Sequence, residues 1–426
     1  MTQAVIVGND DFEDIIEAKA YYVDKTLLIK GLIDSLGGSK VNIFTRPRRF
    51  GRTLALSAIN YFFEDTHDPD KNEKRRRLFD GLKISQCGDH YTSQMTSRPV
   101  INISFKDLES ETWKDFNCNF RYIIGNLYKR HSNLLEQIEF NEDKELFIRF
   151  QDRQAKNCEL HLAFRFLIDV IKSVTGKSTI VLIDEYDVPI NSAISANYYP
   201  GMRRFMSQLF TSTFSNNKNL YFAALTGCFG ISSESLFSGL SWATVNNILS
   251  PSFKDSFGFT ETEVKEMLSF YHLDEHFEII KEWYGGYAIP GAELYNPWSI
   301  GNYVRDNSNA KAFPKTYWSN TNDRILIESF DRYGESLMAS FQDLINGKTI
   351  KSPISENVSY VNAYDTPYKF WSFLLFNGYL TVVAQDEERN FELKIPNLEI
   401  RELFRMISEK RSEIPTISLD FSNSWF

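Results

Sequence analysis

The sequence has little cysteine and no long apolar run. Its four cysteines, Cys87, Cys118, Cys158 and Cys228, stand far apart without C-x-x-C spacing. That argues against a zinc site or a disulfide framework. They read as reduced thiols and place the protein in the cytoplasm. No stretch approaches the roughly 20 apolar residues that span a bilayer, so no membrane is expected as a partner. Met1 to Glu13 is polar and acidic, unlike a signal peptide. No internal repeat or low-complexity linker interrupts the chain. Positive charge is in deficit: the net charge of −9 argues against wholesale binding to nucleic acid and leaves room only for a local basic groove.

What the chain has is length, apolar residues and aromatics. Its 426 residues suffice for two or three domains, and 35 Phe with 21 Tyr predict an aromatic-rich core. Helix is expected over Asp10 to Leu36, with a break near Tyr21–Thr26. Apolar strands are expected at Val41–Thr45, Pro99–Phe105, Ile180–Asp184 and Leu220–Thr226. Helices are expected at about Thr53–Glu64, Asp115–Glu136, Leu160–Val174 and Gly201–Phe214. Strands alternating with helices predict a parallel sheet covered on both faces, whose ligands sit at the carboxyl ends of the strands. From about Phe259 to Leu344 helical patterns dominate. A helix near Lys369–Asn377 followed by a hairpin predicts a winged-helix-like end.

The stretch Val41-Asn42-Ile43-Phe44-Thr45-Arg46-Pro47-Arg48-Arg49-Phe50-Gly51-Arg52-Thr53 carries the most chemistry. A strand, a tight basic turn and a helix start make the local architecture of a phosphate-binding loop. There, backbone N–H groups wrap phosphates, a Lys neutralises charge and Ser/Thr holds Mg²⁺. Two positions depart from the G-x-x-x-x-G-K-[ST] pattern: Arg46 replaces the first Gly, and Arg52 replaces the Lys. A guanidinium is larger and planar and is not equivalent to an ammonium. The plain alternative is a basic turn without a ligand.

Ile183-Asp184-Glu185-Tyr186-Asp187 is an apolar strand ending in acids, the Walker B arrangement. Asp184 would order Mg²⁺ and Glu185 would polarise a water. Thr226, at the end of the next strand, stands where a polar residue can sense the terminal phosphate, or simply ends a strand. Three further motifs read as structural. Gly176-Lys177-Ser178 precedes a strand instead of following one, so it is expected to end a helix. His272 and His276 are spaced i, i+4 but lack the Glu of a zinc helix. Lys74-Arg75-Arg76-Arg77 reads as a solvated helix face.

These motifs together resemble the AAA-ATPase-like family, which often carries a C-terminal PD-(D/E)XK nuclease domain. The resemblance runs from Asp11-Phe12 and Tyr22-Val23-Asp24-Lys25-Thr26 through Thr45–Gly51 and Leu182–Asp187 with Pro189. It continues through Leu225-Thr226-Gly227, Glu234-Ser235, Phe237–Leu240, Trp283-Tyr284, Gly286-Tyr287, Tyr295–Ser299, Tyr317-Trp318 and Gly378–Leu380. It makes Arg46 a family trait. Departures stand at Arg52, where relatives have Lys, at Gly230 and Ser233, where many have basic residues, and at Ser241-Trp242, where many have Asn-Asn. Relatives with the nuclease continue beyond the point matching Ile395-Pro396-Asn397, so nuclease activity is not expected here.

The expectation is an α/β P-loop NTPase-like parallel sheet flanked by helices, with a helical and winged-helix-like C-terminal half. Residues 1–258 would form the core, 259–350 a helical domain and 351–426 the winged-helix-like module. Arg46, Pro47, Arg48, Arg49, Phe50, Gly51, Arg52, Thr53 and Thr226 would bind ATP. Thr53 and Asp184 would hold Mg²⁺, and Glu185 would be the catalytic carboxylate. The leading reading is a nucleotide-binding switch or scaffold with weak or absent hydrolysis. The others are an active ATPase in which Arg52 serves as the Lys, and a nucleic-acid or protein interaction module without nucleotide chemistry.

Overall fold

The computed structural model describes residues 3–228, 243–309, 312–318, 337–388 and 390–412. The four expected strands form as β1 (Val41–Thr45), β2 (Val100–Ser104), β3 (Thr179–Asp184) and β4 (Leu220–Gly227). A fifth, β5 (Ala243–Asn246), was not apparent from the sequence. They pair in parallel in the order β2-β3-β4-β1-β5. Every residue of β1 and β3 is buried; β3 reads as an unbroken apolar run from Ile180 to Ile183, whereas β1 carries Asn42 between Val41 and Ile43.

Successive side chains of a strand face opposite sides. Val181 and Ile183 accordingly join one core with Phe116, Phe120 and Leu167. Ile180 and Leu182 join another with Ile59, Phe62 and Phe63. Helices Trp113–Arg130, Ala163–Thr175 and Tyr199–Phe214 cover the first face; Leu27–Asp34 and Arg52–Phe63 cover the second. Their ends follow local chemistry. The Thr112 side chain accepts from Asp115 N, and Asp68 caps a helix that has Pro69 in its first turn. Helix Asn141–Gln151 was not anticipated.

The strand order has one consequence for function. β4 lies between β1 and β3, so the turn after Thr45, Thr226 and Asp184 arrive at one edge.

The C-terminal half corrects one expectation. Among the helices after Phe259 stands an antiparallel sheet of β6 (Phe259–Thr260), β7 (Tyr287–Ile289) and β8 (Ala292–Tyr295). Strands of two to four residues are too short to show a two-residue period, so helical patterns dominated the sequence there. The last part is as expected in outline. Helix Pro367–Phe376 precedes a hairpin of β10 (Thr381–Gln385) and β11 (Asn390–Lys394), which β9 (Ile350–Pro353) extends to three strands. Among the described residues no helix is long and apolar enough to cross a membrane.

Candidate functional site

The basic turn leaves β1 and enters helix Arg52–Phe63 through Gly51, which is left-handed at φ 82°. The first amides of a helix have no partner within it. Here, among the described residues, no carbonyl or side chain accepts from the amides of Arg48, Arg49, Gly51, Arg52 or Thr53. With the positive end of the helix dipole behind them, these groups suit an anion.

Arg52 is buried, and both Nη atoms of its guanidinium are engaged. Nη2 donates to Glu185 Oε1 at 2.6 Å; Nη1 donates to the Arg46 carbonyl at 2.9 Å and to Cys228 Sγ at 3.2 Å. Burial works against its charge, but Cys228, Glu185, Asp187 and Asp184 outweigh it and hold the group protonated well above the usual arginine range. Glu185 takes up a left-handed backbone at φ 52°, rare for a residue with a side chain and common at functional sites.

One residue on, Thr53 donates its hydroxyl to Asp184 Oδ2 at 2.8 Å, and the Thr226 hydroxyl donates to Oδ1. Burial raises the Asp184 carboxyl and Glu185 adds to it, while Thr226, Arg52 and Thr53 oppose the shift. The site therefore gathers Arg52, Thr53, Asp184, Glu185 and Thr226 from three places in the sequence.

Arg46, expected to contact phosphate, makes its hydrogen bonds to backbone carbonyls. Its side chain is almost wholly buried and donates to the carbonyls of Thr45 at 3.0 Å, Asn246 at 2.7 Å and Phe253 at 3.1 Å. It also lies over the Phe257 ring, and burial pulls its ionisation down to about 10. The motif gives its position but not its direction; the carbonyls at the end of β5 and in the following loop decide that. Arg48 is half-buried, and Arg49 is exposed with a left-handed φ of 69°.

Residues 6–237 match the family described as "Predicted AAA-ATPase", the AAA-ATPase-like family. The chain belongs to that family. It is 26% identical over 415 residues to an uncharacterized protein in the vnfD 5′ region of Azotobacter chroococcum mcd 1, covering 93% of this chain and 68% of that protein. Two solved structures also align. The Aeropyrum pernix ORC2 protein, in ADPNP–ADP complexes, gives a TM-score of 0.30 at 11% identity, over 93% of this chain and 94% of that one. Drosophila ORC bound to AT-rich DNA and Cdc6 gives 0.24 at 10% identity, over 94% of each chain. Both likenesses are too slight to carry an argument about the site.

In this AAA-ATPase-like chain the phosphate loop is clasped by the C-terminal half. The Arg49 guanidinium stacks 3.9 Å from the centroid of the Trp298 ring. Phe50 packs edge-on against Tyr287, and its carbonyl accepts from Gly258 N. Pro47 meets Gly378 so closely that a Cβ there would lie 2.8 Å from it. Phe50 and Cys228 belong to the same apolar cluster as Leu374 and Leu393.

Asp187 was in plain view in the sequence without a role. It precedes helix Val188–Ser195, where an Asp normally caps, a contact worth about 1 kcal/mol. Instead its Oδ2 accepts from Cys228 N at 2.9 Å, and among the described residues Oδ1 has no partner. Gly227 makes room for it: a Cβ there would lie 2.9 Å from Oδ1. No local pattern distinguishes an Asp that caps its own helix from one that reaches across to the next strand.

The other motifs have structural partners. Gly176 ends helix Ala163–Thr175, and Lys177 pairs with Asp65 at 2.8 Å. Lys74 pairs with Glu13 and Glu17, Arg75 with Glu64 and Arg77 with Glu73. His276 bonds the Tyr303 hydroxyl at 2.8 Å. Lys25, in the N-terminal signature, pairs with Glu263 and donates to the Asp255 carbonyl. Gly230, Ser233, Ser241 and Trp242, where the chain departs from its family, lie outside the described residues, as do Glu234-Ser235 and Phe237–Leu240.

Proposed function

We propose that this chain binds a nucleoside triphosphate with Mg²⁺ at the loop Arg46–Thr53 and hydrolyses it weakly or not at all, acting as a nucleotide-dependent switch or scaffold. The observation that carries this reading is the 2.6 Å bond between Arg52 and Glu185. It joins the residue in the Lys position to the carboxylate that would polarise water, so Glu185 is not free for that task.

Amides of the turn, with Arg48 and Arg52, would receive the phosphates; Pro47, Arg49 and Phe50 would frame them. Thr226 would stand beside the terminal phosphate. A hydroxyl and a carboxylate oxygen already in contact, Thr53 and Asp184, fit the oxygen-donor set that Mg²⁺ takes beside a phosphate. When bound, the ion would supply charge neutralisation. Arg46 has no part in phosphate binding in this reading; it braces the loop. Residues 1–258 would form the nucleotide core. Residues 259–350 and 351–426 would respond to it through Trp298, Tyr287 and Gly378, which touch the loop. The widely spaced free thiols suit a cytoplasmic setting.

A calorimetric titration with Mg-ATP tests the reading. Binding in wild type that weakens in Thr53→Ala and Asp184→Asn is expected. No binding at millimolar Mg-ATP would sink it. A nucleic-acid grip by the same loop has less support, because Arg46 and Arg52 are buried and the run Lys74–Arg77 is bound up with acids.

A further inference from the structure

The site holds three carboxylates, two of them buried, against two guanidiniums. Asp184, Glu185 and Asp187 converge on one strand edge, opposed by Arg48 and Arg52. Glu185 has Arg52 as its counter-ion, and Asp184 has two hydroxyl donors. Asp187 is 3% exposed, and among the described residues it has one backbone donor and a bare Oδ1. A buried carboxylate with an unsolvated oxygen is the group least able to stay ionised when further negative charge arrives.

Resting on the reading above, we propose that Asp187 takes up a proton when a nucleoside triphosphate binds at the loop, making the affinity of this site pH-dependent. The groups that face it come from every neighbouring element. Glu185 and Tyr186 precede it, Arg48 lies in the loop and Arg52 starts the loop helix. Cys228 follows β4, and Tyr360 comes from the segment before helix Pro367–Phe376. Burial, first, and Glu185 already raise the free Asp187 carboxyl to about 6, against Arg52, the Cys228 amide and Arg48. A bound triphosphate repels the carboxylate directly. It also competes for Arg48 and Arg52, the groups that favour its charge. Both effects act in one direction, so the bound form holds the proton to higher pH than the free form. Protonation also converts Oδ1 from an acceptor without a donor into a donor.

The sign follows from linkage. Below about pH 6 Asp187 is largely protonated in both states and affinity is at its maximum. As pH rises from there through neutrality, affinity falls by up to about tenfold per pH unit. Titration of the terminal phosphate itself has the opposite sign. The experiment is Mg-ATP titration calorimetry at about pH 7 in buffers of different ionisation enthalpy. Wild type is expected to take up a substantial fraction of one proton per nucleotide, up to about one, and Asp187→Asn much less. Binding without proton uptake, or equal uptake in Asp187→Asn, overturns the inference while leaving nucleotide binding intact. No binding heat overturns both. If Asp187→Asn does not fold, the wild-type affinity between pH 5.5 and 8, roughly one pH unit or more either side of the free carboxyl, decides: a flat or rising profile overturns the inference.

Discussion

Arg52 and Glu185 form an ion pair at 2.6 Å in which the arginine is buried and the glutamate is 24% exposed. Pairing across the site satisfies a guanidinium that could not otherwise be buried cheaply. It also occupies the carboxylate that hydrolysis would need.

Replacing Arg52 with Lys should loosen the pair. An ammonium has one charge centre and cannot hold Glu185, the Arg46 carbonyl and Cys228 in the same fork. ATP turnover, measured as phosphate release, should rise roughly 10-fold or more in Arg52→Lys, within the range general-base catalysis supplies. Adding Glu185→Gln should abolish the gain. Unchanged turnover in Arg52→Lys would mean that Arg52 is not the limiting feature.

Arg46→Ala should destabilise the protein by about 3–5 kcal/mol, because it leaves three carbonyls without their charged donor. Arg46→Lys should rescue only part of this, since a single ammonium cannot span the same three acceptors. Urea unfolding curves measure both. A phosphate ligand instead of a brace would show the reverse: little change in stability and a large loss of nucleotide affinity.

The C-terminal grip on the loop can be probed at Gly378, left-handed at φ 84° and in contact with Pro47. Gly378→Ala adds a Cβ with no room and a strained backbone. Nucleotide affinity should fall together with the melting midpoint. Normal Mg-ATP affinity in a destabilised Gly378→Ala would show that the contact does not shape the loop.

Glu399 offers a separate pH dependence. It is buried and accepts from the Ser299 hydroxyl and the amides of Tyr317 and Trp318 at 2.7–2.9 Å. Burial outweighs these donors and raises its carboxyl to about 7. The folded state therefore binds this proton more tightly than the unfolded chain. Its contribution is full below about pH 4.5 and is lost as pH rises to about 7. Glu399→Gln should flatten this part of the melting profile between pH 5 and 8, about the window spanned by the two states. An unaltered profile in Glu399→Gln would assign the dependence elsewhere.

Local features were readable where one residue type had one physical use. β3 is buried on both faces, so nothing polar interrupts it from Ile180 to Ile183. Gly176 before a strand could only end a helix. The strands β6 to β8 were not readable, being too short for a period and held by partners more than 30 residues away in one pairing. Asp184 and Thr53 could be paired by motif; Asp187 and Cys228 could not.

The sequence alone determined the parallel α/β core, the family, and the presence of a basic turn facing strand-end acids. Those follow from hydrophobic runs and from residue types at fixed spacing. Only the tertiary structure decided where the charges point. Arg46 turns into the carbonyls beyond β5, Arg52 turns onto Glu185, and Asp187 leaves its own helix for the end of β4. The reason is physical. A long charged side chain can reach acceptors in several directions, and the one it takes depends on which polar groups the packed strands leave unpaired nearby.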